Sequence, residues 1–172
     1  VSDRSVRVNG PILGNIKAKL LTAKASMIKG DINLTGDAVF EAESVIVGNL
    51  NTDDLELSGK IKGNIKANGN VVVSDSVFGN ISCDNLILQN ENLSDSEITA
   101  KGHVIIENGV SVKGQVKCRD ITIYGKLGGN AEAKEKAEIG EEGVLAGELK
   151  AGSLGVHPGA KITGAANVSG QN

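Results

Sequence analysis

SGKIKGNIKANGNVVVSDSVFGNI, residues 58–81, carries one short phrase and then begins it again. The phrase is a glycine, a polar residue, an aliphatic, a polar residue, and a small or apolar residue. It reads GNIKA from Gly63 and GNISC from Gly79. Working outward, it recurs from Gly14, Gly30 and Gly48 on one side and from Ser96, Gly114, Gly129, Gly147 and Gly164 on the other. That makes ten copies spaced 15 to 18 residues apart. Repetition on this scale is the mark of a solenoid, in which each unit packs only on its neighbours.

The third place of the phrase holds Ile16, Ile32, Leu50, Ile65, Ile81, Ile98, Val116, Ala131, Leu149 and Ala166, all apolar. The residues that follow them, such as Lys17, Asn51, Lys66 and Glu132, are polar, and the fifth place is mostly small and apolar again. Alternation with a period of two describes a strand with one buried face. A second strand follows, with inward pairs such as Leu55/Leu57, Val71/Val73 and Val104/Ile106. Its distance from the opening residue alternates between seven and eight, so alternate coils differ by one residue at that corner. A looser third segment contributes Ile28, Val45 and Val47, Ile61, Val77, Leu93, Val110 and Val112, Leu127, Val144 and Ile162.

Three short strands per repeat predict an all-β, single-stranded parallel β-helix of triangular cross-section with about ten coils. The coil itself connects the parallel strands, so no crossover helix is needed. The absence of a sustained hexapeptide period favours right-handed winding. Residues 1–11 read as a tail or cover strand (SVRV alternates), 12–168 as the solenoid, and 169–172 as a tail. Glycine opens nine of the ten copies, which points to a corner needing φ > 0 or a close backbone approach. Ser96 follows the polar run Gln89 to Asp95, where a bulged turn is expected. Ala131 to Glu142, AEAKEKAEIGEE, is rich in helix formers, yet the repeat assigns Ala131, Ala133, Ala137 and Ile139 to inward strand positions.

Composition agrees with a narrow aliphatic interior. The 172 residues include only Phe40, Phe78 and Tyr124 as aromatics. A net charge of −3 argues against a nucleic-acid partner. No apolar run approaches the ~20 residues that span a bilayer, and no signal peptide is visible in a chain that opens on Val1. Cys83 and Cys118 share the fifth place two copies apart, about 9–10 Å at the usual strand spacing. That exceeds the reach of a disulfide, so two buried free thiols are expected, as in a reducing compartment.

These residues resemble the bactofilins, bacterial cytoskeletal proteins built on a short right-handed β-helix. The likeness is carried by the 58–81 stretch and by VIIENGVSVKGQVKC, residues 104–118, and covers roughly 12–168. It implies end-to-end self-assembly into non-polar filaments without nucleotide or other cofactor. It implies a non-enzymatic scaffold in cell shape, stalk or envelope morphogenesis, cytoplasmic and at the inner face of the membrane. The partners so implied are further copies of the chain, envelope or cell-wall proteins, and the membrane surface peripherally. The repeat is long for the family, and GAANVSG closes the last coil without an aromatic.

Candidate sites follow from the architecture. A stack has two ends with unpaired backbone groups and an exposed core cross-section. Self-association is therefore expected through Val8, Ile12, Leu13 and Ile16 at one end and Ile162, Ala166 and Val168 at the other. His103 and His157 read as surface histidines with no carboxylate spacing to orient them, which leaves no catalytic constellation for a β-helical acyltransferase or lyase. An extracellular β-helical stalk or adhesin is the other alternative. Asp53–Asp54 and Glu141–Glu142 read as solvated corners rather than metal ligands. The polar residues after the opening glycines, Asn15, Asp31, Asn49, Asn64 and Asn80 among them, would form a hydrogen-bonded ladder if stacked. Lys17, Lys66, Lys117 and Lys150 share one outer face, either solvated or turned to an anionic surface.

Overall fold

A computed structural model describes residues 4–89 and 92–169, with the backbone alone considered at 92–96. Every regular element among them is a β-strand. The strands stack in parallel as a solenoid of about nine turns. Each turn contributes a strand to each of three walls. Wall 1 is the glycine-opened strand, such as Ile65–Ala67. Wall 2 is the next strand, such as Asn70–Val73. Wall 3 is the third, such as Lys60–Lys62.

The wall 1 column is continuous. Ile16 pairs with Ile32, Ile32 with Leu50, Leu50 with Ile65, Ile65 with Ile81, and Ile81 with Ile98. It continues through Val116, Ala131 and Leu149 to Ala166. From Ile32 to Leu149 this column is almost wholly removed from solvent. Such burial is what drives an aliphatic prism to form. Wall 2 fits large residues against small ones: Phe40, the largest fully buried side chain, lies over Ala23 and under Leu57.

Ala131 and its neighbours lie in the strand Lys126–Ile139, so stacking overrides helix propensity there. The alternating extra residue appears as register shifts at Cys118/Asp120 and at Ala133/Lys136. The expected irregularity before Ser96 is a register shift between Leu93 and Ser96. SVRV lies as a wall 2 strand, Ser5–Val8, on Leu20–Ala23.

One part of the third segment is displaced by a residue. In wall 3 it is Ile46 that points inward, stacked between Ile28 and Ile61, while Val45 is half-buried and Val47 exposed. Likewise Leu145 rather than Val144 enters the core. Both sites sit in uninterrupted apolar runs, VIV and VL, where alternation cannot fix the face. A slip of one position then inverts every side chain.

The corners explain the glycines. Gly63 has φ 149°, and a Cβ there would run into the carbonyl oxygen of Gly48 one layer away. Both the backbone angle and the vertical contact exclude a side chain. Beside that column runs the ladder. Asn15 Oδ1 accepts from the Asp31 N–H at 2.8 Å, Asp31 Oδ1 from Asn49 at 3.0 Å, and Asn49 Oδ1 from Asn64 at 3.0 Å. Asn64 Oδ1 accepts from Asn80 at 3.0 Å and Asn80 Oδ1 from Glu97 at 3.1 Å. The rungs join side chain to backbone, not amide to amide. Beyond the Leu93/Ser96 shift the corner is bridged differently. Gly114 pairs with Gly129 and Gln115 with Asn130 through the backbone, and strands such as Ser111–Ile123 run unbroken round the turn.

Candidate functional site

The ends of the stack differ. At the N-terminal end Val8 and Ile16 are buried and Ile12 is half-buried against the core. Leu13, the residue after Ile12, projects from the outer side of wall 3. The structure therefore brings Val8, Ile12 and Ile16 together in the first layer and sets Leu13 on a flank. At the C-terminal end the strand Lys161–Val168 is exposed along its whole length. Ile162 is 36% and Val168 42% exposed, Ala166 lies open between them, and Val156 joins the same apolar rim. Ala166 stacks on Leu149 and Val168 on Ala151, with no further layer beyond them among the described residues. Eight residues of strand edge there present unpaired backbone groups.

The histidines do have carboxylate neighbours, supplied by the adjacent layer. His103 Nδ1 lies 3.4 Å from Asp120 Oδ2, and Arg119 Nε is 2.9 Å from the same oxygen. His157 Nε2 lies 2.6 Å from Glu138 Oε1. The His157 contact, with Lys136 beside it, holds the Glu138 carboxyl below its ordinary range. Sequence spacing hid these pairs because partners are one turn apart and the turn length varies. All are surface contacts, whose energetic worth is small. Among the described residues no group of three His, Cys, Asp or Glu side chains is placed to hold a metal. Asp53 Oδ1 accepts from Asn68 Nδ2 at 2.9 Å and Asp54 Oδ1 from the Asn70 N–H at 2.7 Å, so both carboxylates tie layers together.

Cys83 and Cys118 are free and buried. Cys83 pairs with Ala100 in the layer between them, and burial pushes both thiols up to about 12, with Asp84 and Asp120 adding to the effect. The wall 1 lysines are not a continuous patch: Glu132 stands between Lys117 and Lys150 in the column. Among the described residues no helix is long and apolar enough to cross a membrane.

The family model of bactofilin, described as polymer-forming cytoskeletal, matches twice, over residues 23–97 and 92–167. The chain belongs to the bactofilin family. No curated protein and no solved structure matches it. The two bactofilin matches follow one another and meet at 92–97, the layer that holds the Leu93/Ser96 register shift. Together the two matches span nearly the whole stack. Membership places the chain in a structural, polymer-forming family.

Proposed function

We propose that this bactofilin joins end to end into filaments, and that the filament acts as a scaffold in cell shape or envelope morphogenesis. The observation that supports the reading best is the open C-terminal layer. Ile162, Ala166 and Val168 lie on it beside an unpaired strand edge of eight residues. A partner end laid on that surface would satisfy the backbone groups and cover the apolar side chains in one step. Val8, Ile12 and Ile16 occupy the opposite terminal layer, with Leu13 at its margin. No nucleotide enters this scheme, because pairing of open strand edges and burial of apolar side chains supply the junction.

Sedimentation velocity tests it, with negative-stain microscopy of the same samples. Wild-type protein should form filaments and large species that grow with concentration. Ile162→Arg or Val168→Arg should reduce assembly while circular dichroism stays that of the β-stack, since both side chains are already exposed. A wild-type chain that stays monomeric throughout would overturn the proposal.

A further inference from the structure

The outer face of wall 3 differs in charge from the rest of the molecule. Overall the chain carries 21 acidic and 18 basic residues. Yet the strand positions pointing out of wall 3 bear Lys29, Lys60, Lys62, Lys113, Lys126 and Lys161, and no Asp or Glu among the described side chains. None of these lysines forms an ion pair with a described residue. Acidic residues occupy the corner leading into the wall instead; Glu41 there is paired with Lys24 at 3.8 Å.

The first layers of this face add a second property. Leu13 stacks on Lys29, Lys29 on Val47, Val47 on Lys62, and Lys62 on Phe78, a column in which apolar and cationic side chains alternate. Leu13 is 83% exposed, Phe78 54% and, in the neighbouring column, Met27 48%. From Leu13 to Phe78 the column is about 19 Å long, at about 4.8 Å per layer. Large apolar side chains held in water among unpaired lysines match the boundary between headgroups and acyl chains. The apolar groups enter the acyl region while the lysine stems reach back to anionic headgroups.

We propose that wall 3 is a docking surface for an anionic lipid bilayer, with Leu13, Met27, Val47 and Phe78 inserting and Lys29, Lys60 and Lys62 contacting lipid phosphates. A second copy of the chain fits this face poorly, because its own wall 3 would oppose lysine to lysine. The inference is independent of filament formation: a single chain presents the surface, and a filament would only multiply it.

The chain has no tryptophan, so Phe78→Trp in the full chain gives a clean probe. Thr99→Trp, at an exposed position on wall 1, is its counterpart. Phosphatidylcholine vesicles with phosphatidylglycerol should blue-shift the emission at position 78 and leave position 99 unchanged, and added salt should reverse the shift. Pure phosphatidylcholine should give little or no shift. A K29Q/K60Q/K62Q triple variant should bind the anionic vesicles about a hundredfold more weakly, at roughly 1 kcal/mol per lysine. If that variant fails to fold, the 78-against-99 comparison still decides the matter. Absence of binding, equal binding to neutral vesicles, or equal shifts at both positions overturns the proposal. So does a shift at 78 that grows with protein concentration without lipid, which would assign the face to a second copy.

Discussion

The carbonyl oxygen of Gly48 fills the space that a Cβ on Gly63 would need. Gly63 also sits at φ 149°, outside the comfortable range of other residues. Gly63→Ala should therefore destabilise the fold by about 3 kcal/mol or more in urea unfolding. Gly14 shares the positive φ but has open space where its Cβ would be. Gly14→Ala should cost about 1 kcal/mol. Equal losses at both positions would show that vertical stacking is not what selects glycine.

Among the described residues the side-chain ladder runs only through the first half of the stack, from Asn15 to Glu97. Asn64→Ala removes the acceptor of the Asn80 N–H and should cost about 1 kcal/mol. Asn130 occupies the equivalent place in a corner paired through its backbone, with no such side-chain bond among the described residues. Asn130→Ala should change stability by only a few tenths of a kcal/mol. Denaturant midpoints of the two variants decide between them.

The buried thiols give the protein an alkaline limit. Their folded pKa, about 12, lies above the ordinary 9.0. The fold thus favours the protonated thiol, and this contribution is complete below pH 9 and lost as pH rises toward 12. Wild-type protein should lose more stability between pH 8 and pH 10.5 than the Cys83→Ala/Cys118→Ala variant. Alanine already fills this column at Ala67, Ala100 and Ala133, so the variant should fold. Identical pH profiles would contradict the burial argument. At pH 8 the native thiols should also resist alkylation until denaturant is added.

The stack was legible because its signal repeats: an apolar residue two places after each corner glycine cannot recur so often by chance, and Ile65, Ile81 and Ile98 fall in consecutive layers as that spacing demands. Where apolar residues run together the sequence carries no such signal: the repeat points Val45 and Val47 inward, whereas the structure turns Ile46 in. Contacts between neighbouring layers were also hidden. His103 meets Asp120 and His157 meets Glu138 across turns whose lengths vary, so no fixed spacing marks them. The wall 3 surface had a readable signal, lysines or apolar residues flanking each inward residue, as in Met27–Lys29 and Lys60–Lys62. It emerged only once the inward register was fixed.

Fibre diffraction from oriented filaments tests end-to-end stacking most directly. Strands lie across the stack and repeat along it at about 4.8 Å. If chains join through the layers that hold Val8, Ile12 and Ile16 and through the open edge at Ile162–Val168, that reflection falls on the meridian, parallel to the filament axis. A reflection of the same spacing on the equator would mean that stacks associate side by side, and the end-to-end assembly proposed for this bactofilin would be wrong.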